Sequence, residues 1–301
     1  QNRYQFYDRT NTATKVDATD FQTWDLQTLF DEIHLHYQNS LNNETVLKTT
    51  ELKDFSTILM EQKNSKQLRP TLYDLLAHNA LEFYKTDETS ITQPAYKFEI
   101  DNPEYLKEAK AFSNLTITSK DSTSLQLYAL LLYQKLIAFH LNDKEPYALV
   151  DVDIDRLNFV ADNATFDNDQ EELLATLMAS SAERQSHEVS ALYNFEIASI
   201  YKEQGEQYQP KTDEDHRLKL KETLNICEKV IAKYPNSQGA QKCEALKSQI
   251  LQPALQIIAE NLLPLQQDAL MKVTYKNLNE MQFKIYKMSK DFTVKTNNWH
   301  L

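Results

Sequence analysis

The chain has 301 residues, 41% of them hydrophobic, so it is long enough to bury a substantial core, and its formal net charge is −12. That negative balance argues against nucleic acid or an anionic membrane as a partner, because binding phosphate requires a basic face. Only two glycines, Gly205 and Gly239, occur in the chain, which excludes glycine-rich nucleotide-binding loops and a β-sandwich or barrel over the whole length.

Apolar residues at helical spacing predict three helices in the first third of the chain. They are expected from Thr23, as N-cap, to about Leu41, from Glu51 to Met60, and from Thr71 to about Tyr84. The inward face of the third is predicted to comprise Leu72, Leu75, Leu76, Asn79 and Phe83. Residues 1–20 show no clear period, so we expect an extended arm. Gln1 begins no signal peptide, which suggests a fragment or a processed chain.

The segment of about residues 85–120 interrupts the helical rhythm. It contains Pro94 and Pro103. Apolar and polar residues alternate over Tyr96–Ile100, as in a short strand or an extended segment that ties other elements together. Long connections of this kind are often functional or pack across a surface, and we predict one of these two roles here.

The segment from about Ser124 to Leu141 is the most apolar of the predicted helices. Asp121 and Ser122 are expected to cap it, and because apolar residues surround it almost completely, it is predicted to be buried between neighbours. Further helices are predicted from Pro146 through Ala161, from Asp167 or Asn168 through Met178, from Ala191 to Tyr201, from Leu220 to Tyr234, and from Ser237, as N-cap, to Leu251. No apolar run reaches the roughly 18 residues of a membrane span.

After Pro253 the period changes to the alternation of β-strands. We expect about three strands, at 254–259, 269–276 and 281–286. Three strands with two open edges make an uncomfortably small sheet. The segment is therefore interpreted as the beginning of a larger β domain, or as strands that pack on the helices.

The stretch from Ala191 to Leu251 resembles a tetratricopeptide-type repeat, which pairs two antiparallel helices with small and large residues at set positions. The positions that carry the resemblance are Ala198, Tyr201, Thr223, Cys227, Val230 and Pro235, and an insertion at about 204–215 departs from it. The predicted fold is therefore mostly α: a tetratricopeptide-like helical array over residues 1–252, followed by a β segment over 253–301.

A wider resemblance reaches most of the chain. The segments 2–10, 23–26, 69–78, 234–240, 243–250, 273–277 and 283–286 look like the N-terminal helical region of large alpha-2-macroglobulin-family proteins of Bacteroidetes and its junction with their first β-sandwich. The resemblance implies a periplasmic or cell-surface protein, lipid-anchored and linked to protease trapping. Many members use a thioester built from Cys-x-Glu-Gln. The sequences that follow Cys227 and Cys243 do not match that motif, so no catalytic residue is carried over.

Few residues suggest chemistry. His34 and His36 point about 200° apart on a helix and do not suit a shared metal. His187-Glu188 lacks the second histidine of a zinc-protease helix. Residues 151–155 resemble a calcium loop without its glycine or closing glutamate, and fit an amphipathic helix with Asp153 outward. Cys227 and Cys243 are interpreted as buried hydrophobic residues, with a disulfide between facing helices as the alternative.

We therefore predict no catalytic, cofactor-binding or metal-binding residue. The predicted function is a non-enzymatic scaffold and protein-interaction module of an alpha-2-macroglobulin-like protein, whose partners are the rest of the same polypeptide, proteases or an envelope protein. The alternative is a helical surface protein that binds glycans or peptides. An enzyme of unrecognised type is a third hypothesis.

Overall fold

A computed structural model describes residues 17–86, 95–209, 211–212, 215–260, 268 and 270–284. This part of the chain is mostly helical, with eleven α-helices and a small two-stranded antiparallel sheet towards the C-terminal end. Contacts between residues divide the chain into two compact units, with the division between Glu244 and Ala245. None of the described helices is both long and apolar enough to cross a membrane.

The first unit is built from helices that pack on their neighbours in chain order. They are α1 (Leu26–Leu41), α2 (Glu44–Thr49), α3 (Ser65–Leu68), α4 (Leu72–Tyr84), α5 (Ala109–Ser113), α6 (Leu125–His140), α7 (Tyr147–Asn163), α8 (Asp169–Glu183), α9 (Ser190–Gln207) and α10 (Lys219–Lys233). Helix α4 packs on α6, α6 on α7, α7 on α8, α8 on α9 and α9 on α10, while α1 and α2 contact α4. Helix α11 (Gln238–Leu251) crosses the division between the units.

Local capping explains where several helices begin. The side chains of Asp25 and Ser124 accept hydrogen bonds from backbone N–H groups in the first turns of α1 and α6. Thr71 and Asp74 form a reciprocal capping box at α4. The Ser237 hydroxyl accepts from the N–H of Ala240 at 3.1 Å, which confirms the predicted start of α11. The predicted cap of α1 was wrong by two residues, because Thr23 ends a short 3-10 helix instead.

Helix α6 lies at the centre of the core, as predicted. Leu130, Tyr133, Leu136 and Ile137 are fully buried, and the helix contacts α4, α5 and α7. Its apolar residues point in several directions because it has neighbours on several sides.

The predicted helix from Glu51 to Met60 is wrong. The structure places the helix α2 earlier, and residues 52–55 form only a 3-10 turn. The cause is a tertiary backbone pairing: the N–H of Leu52 donates to Pro70 O and the N–H of Leu72 donates to Thr50 O, at 3.2 and 2.8 Å. These bonds hold Thr50 extended and interrupt the helix.

The predicted inward face of α4 is also wrong. Asn79 is exposed, and Leu72, Leu75, Leu76 and Phe83 are only partly buried. The buried side chains of this helix are Tyr73, Asp74, Ala77, His78, Ala80, Leu81 and Tyr84. The buried face of α4 is an equally regular stripe, and it includes two polar residues, one of which, Asp74, has its partner His140 far away in the sequence.

The segment from residue 95 to 119 packs across the helices. Instead of a strand at 96–100, Ile100 makes one isolated parallel bridge with Ala164, and a 3-10 helix, Pro103–Leu106, and the helix α5 follow. The Gln134 side-chain amide donates to the carbonyl oxygens of Phe112 and Leu115, at 2.9 and 2.8 Å. The segment therefore ties the helices together in an extended conformation, as one of the two predictions for it stated. Residues 87–94 lie outside the described part of the chain.

Both glycines lie where two segments approach closely. A Cβ added at Gly239 would lie 2.4 Å from the backbone carbon of Ala191, at the start of α9. A Cβ added at Gly205 would lie 2.8 Å from the side chain of Leu220, at the start of α10. Because real Cβ atoms do not approach other heavy atoms so closely, these positions accept glycine alone without a shift of the neighbouring segment.

The second unit contains the strands β1 (Ala254–Ala259) and β2 (Met271–Lys276). They pair antiparallel, with Ala254 opposite Lys276 and Ala259 opposite Met271. Two strands are therefore seen in the described residues rather than three: residues 281–284 are irregular, and the rest of the predicted third strand lies outside the description. Asn277, in the left-handed conformation, donates from its side-chain amide to Ile250 O at 2.8 Å, which satisfies a carbonyl of the last turn of α11.

Candidate interaction sites

His140 lies between two carboxylates at the C-terminal end of α6. Its Nε2 is 2.8 Å from Asp74 Oδ1 and its Nδ1 is 2.6 Å from Asp143 Oδ2. Burial alone would lower the pKa of His140, but the hydrogen bonds and negative charges of the two aspartates outweigh it and raise the pKa above 6.5. The raised pKa favours the protonated ring, which donates from both nitrogens to these carboxylates. The group joins α6 to the capping box of α4.

Arg156 and Asp153 form a fully buried ion pair on α7. The guanidinium also donates to Tyr105 O at 2.6 Å and lies over the ring of Phe112, with Cζ 4.6 Å from its centroid. The hydroxyl of Tyr193, on α9, donates to the second oxygen of Asp153 at 2.9 Å. The prediction that Asp153 points outward is therefore wrong, because this residue finds an internal cation one turn along its own helix.

Asp155 links three helices. It accepts from the Tyr133 hydroxyl at 2.7 Å and from Lys85 Nζ at 3.0 Å. Asp153 and Asp155 thus have separate sets of partners. Burial raises the pKa of Asp151, the first aspartate of the series. In the described residues no group of three or more His, Cys, Asp or Glu side chains is arranged to hold a metal ion.

The histidines singled out in the sequence lie apart. His34 contacts Tyr84, whereas His36 lies 3.5 Å from Glu32 on the outer face of α1. His187 lies 3.4 Å from Glu145 and against the ring of Tyr147. The partners of these rings are tyrosine and glutamate side chains, and the three histidines do not meet at one site.

A cleft of about 420 Å³ opens between α1, α4 and α6. The ring of His34 stacks on Tyr128, with centroids 3.8 Å apart, and its Nδ1 is 2.9 Å from the Tyr84 hydroxyl. Burial lowers the pKa of His34, so its ring is neutral at neutral pH. The rest of the wall is mixed, with the polar side chains of Gln38, Asn42, Glu44 and Lys135 and the apolar side chains of Leu41, Leu131 and Leu132. An open cleft of this composition can stack a planar or sugar-like group and accept or donate hydrogen bonds around it.

Sequence reasoning missed this cleft. His34 was considered only as a metal ligand, and Tyr84 and Tyr128 lie 50 and 94 positions away from it in the sequence. Each tyrosine shares a face with core residues of its own helix. No local pattern distinguishes it from a tyrosine with a buried ring.

Cys227, on α10, and Cys243, on α11, are fully buried, as predicted. Their thiols are in hydrogen-bond contact, and that contact together with burial raises the pKa of Cys243. The two sulfurs are not covalently joined in this structure.

The β-hairpin exposes apolar side chains on both of its faces. Leu255, Ile257, Ile258, Met271 and Tyr275 are each between 48% and 60% exposed. Consecutive residues of a strand point to opposite faces, so Ile257 and Ile258 lie on different sides of the sheet. This is the largest concentration of exposed apolar side chains along any described strand or helix.

No protein-family model, curated protein or solved structure matches this chain.

Proposed function

We propose that this chain is a non-enzymatic scaffold and protein-interaction module of a large bacterial alpha-2-macroglobulin-like envelope protein. In this proposal, the helices form a tetratricopeptide-like array and the hairpin is the first part of a β-sandwich domain. The partner is then the rest of the same polypeptide, and protease trapping and a lipid anchor outside this chain follow from the family resemblance. The observation that carries the proposal is the hairpin, whose apolar side chains are exposed on both faces.

A two-stranded hairpin with two apolar faces is an incomplete structure. Isolated hairpins are at best marginally stable in water, and both edges of this one lack a neighbouring strand in the described residues. Full burial of a side chain such as Ile257 or Ile258 stabilises a fold by about 1.5–3 kcal/mol. Further strands on both edges would satisfy the edge backbone groups and shield part of both faces, and a second sheet would bury one of the two faces.

The composition of the buried charged groups supports a structural role for the helices. His140, Arg156 and Asp153 all pair within the core. They hold helices together, and none of them lines the cleft between α1, α4 and α6.

The first test is the reading frame that encodes the chain. We expect repeated β-sandwich domains after Leu301, and a frame without such domains would contradict the proposal. In the full-length protein, Ile257→Asp and Ile258→Asp should each lower the melting temperature of the adjoining β domain. The matched control is Gln256→Asp, which introduces the same charge in the same strand at an already polar position. Equal effects of the three substitutions would also count against the proposal.

The cleft around His34 favours a second candidate function, the binding of glycans or peptides at the cell surface. Its support is the stacked His34–Tyr128 pair beside the Tyr84 hydroxyl. A glycan array followed by calorimetric titration tests it. We expect Tyr128→Ala to abolish binding, whereas Tyr96→Ala, a control at an exposed tyrosine outside the cleft, should leave it unchanged. If no array member binds, or if both substitutions have the same effect, glycan binding at this cleft is refuted.

A further inference from the structure

We propose that Cys227 and Cys243 form an intramolecular disulfide that covalently links α10 to α11. These are the only two cysteines of the chain, so one pairing within the molecule is available. Both side chains are fully buried, and their thiols are in hydrogen-bond contact. The inference does not depend on the function proposed above.

The geometry of the two helices suits a cross-link. Helix α10 ends at Lys233 and α11 begins at Gln238, so residues 234–237 make a short connection between them. The capped turn at Ser237 fixes the start of α11, and the close approach at Gly239 fixes its distance from α9. Two thiols held in hydrogen-bond contact by such a frame are direct neighbours, and forming the bond brings their sulfurs to about 2.05 Å.

The bond forms by thiol–disulfide exchange, and the oxidant is a small disulfide such as oxidised glutathione. One protein thiolate attacks a glutathione sulfur, which breaks the glutathione S–S bond and releases one glutathione thiolate. The second protein thiolate then attacks the protein-bound sulfur and releases the other. The protein loses two protons and two electrons, and one oxidised glutathione becomes two reduced molecules.

Burial determines when the bond forms and how long it lasts. The hydrogen bond to Cys227, together with burial, raises the pKa of Cys243 and keeps the reactive thiolate scarce in the folded protein. Oxidation is therefore expected during folding, before α11 closes over α10. Once formed, the bond is shielded from reducing thiols.

The experiment is to unfold the purified chain, refold it in a glutathione redox buffer, and quench it with N-ethylmaleimide. We expect the intact mass to fall by two hydrogens and no maleimide to add after denaturation. We expect the equilibrium constant for unfolding to be on the order of 100-fold smaller for the oxidised form than for the reduced form, because the bond closes the loop between Cys227 and Cys243 and so restricts the unfolded chain. The controls are Cys227→Ser and Cys243→Ser, each of which should add one maleimide.

Two results would overturn the proposal. One is a refolded protein that still adds two maleimides, or that carries glutathione on either cysteine. The other is an oxidised form with a lower melting temperature than the reduced form. That result would show that the bond strains the folded protein, so that the arrangement of α10 and α11 does not accommodate it.

Discussion

Replacing Arg156 with methionine tests whether the buried ion pair holds the first unit together. The substitution keeps a long, unbranched side chain beside Phe112 but removes the positive charge. Three interactions are lost: the ion pair with Asp153, the hydrogen bond to Tyr105 O at 2.6 Å, and the cation–π contact with the Phe112 ring. Asp153 is then left buried without its cation, with the Tyr193 hydroxyl as its remaining described donor.

The expected loss in the free energy of unfolding is about 3–5 kcal/mol, the cost of removing one partner of a buried pair. That is a large part of the roughly 5–15 kcal/mol that stabilises an ordinary domain. Adding Asp153→Asn removes the second charge as well. The double variant should therefore be more stable than Arg156→Met alone, with a coupling of about 0.5–3 kcal/mol.

Urea unfolding followed by far-ultraviolet circular dichroism measures these losses. Limited trypsin digestion locates them, because release of Tyr105 should speed cleavage at Lys107 and Lys110. The matched control is Arg217→Met at an exposed position, which should change stability by no more than about 0.5 kcal/mol. A loss below about 1 kcal/mol for Arg156→Met, or a double variant less stable than the single one, would refute the reasoning.

Three further substitutions test other contacts by urea unfolding. Because the pKa of His140 is raised in the folded protein, its contribution to the free energy of unfolding is complete below about pH 6.5 and is lost as the pH rises through the raised value. The stability difference between the wild type and His140→Gln should therefore shrink as the pH rises. Parallel pH profiles of the two proteins would contradict this. Gly239→Ala should cost about 1–3 kcal/mol, because the new methyl group meets the backbone of Ala191, while exposed Gln241→Ala in the same helix should be neutral. Thr71→Ala should cost about 1 kcal/mol by removing a cap, and an unchanged stability would show that the cap is dispensable.

The elements that local sequence determines were predictable. Ser237 supplies a capping oxygen to the turn that follows, as predicted, and Pro253 lies just beyond the end of α11. The predicted cap of α6 was wrong, because Ser124 caps this helix rather than Asp121 and Ser122. The change from helical to alternating periodicity predicted β1 and the whole of β2, the latter within a slightly longer segment, 269–276. Each of these signals acts within a few residues and is therefore readable from the chain alone.

The errors arose where a distant residue decides the outcome. Thr50 is extended because its carbonyl oxygen accepts a hydrogen bond from the N–H of Leu72. Asp74 points inward because His140, on another helix, is its hydrogen-bond partner. Asp153 has a cation on its own helix, but its burial depends on Tyr193 from α9. A polar residue in an amphipathic pattern is assigned to the surface by default, and only its tertiary partner reverses that assignment. The cleft at His34 was unpredictable for the same reason.

The buried polar bonds share one property that bears on the scaffold proposal. Apolar contacts between helices are non-directional, so neighbouring helices packed by Leu and Ala alone can exchange one packing arrangement for another at little cost. Bonds to His140, Asp153 and Asp155 are directional, and they join α4 to α6, α7 to α9, and α7 to both α4 and α6. A slip of any of these helices by one turn would leave a buried charge without its partner, at a cost of several kcal/mol. Fixed helix positions of this kind suit an array that must present a joint to another domain at a constant geometry. If the array were instead a pliable peptide binder, replacing Asp155 and Tyr133 together by Leu and Phe should leave its binding unchanged, whereas a scaffold should lose its defined shape in small-angle scattering.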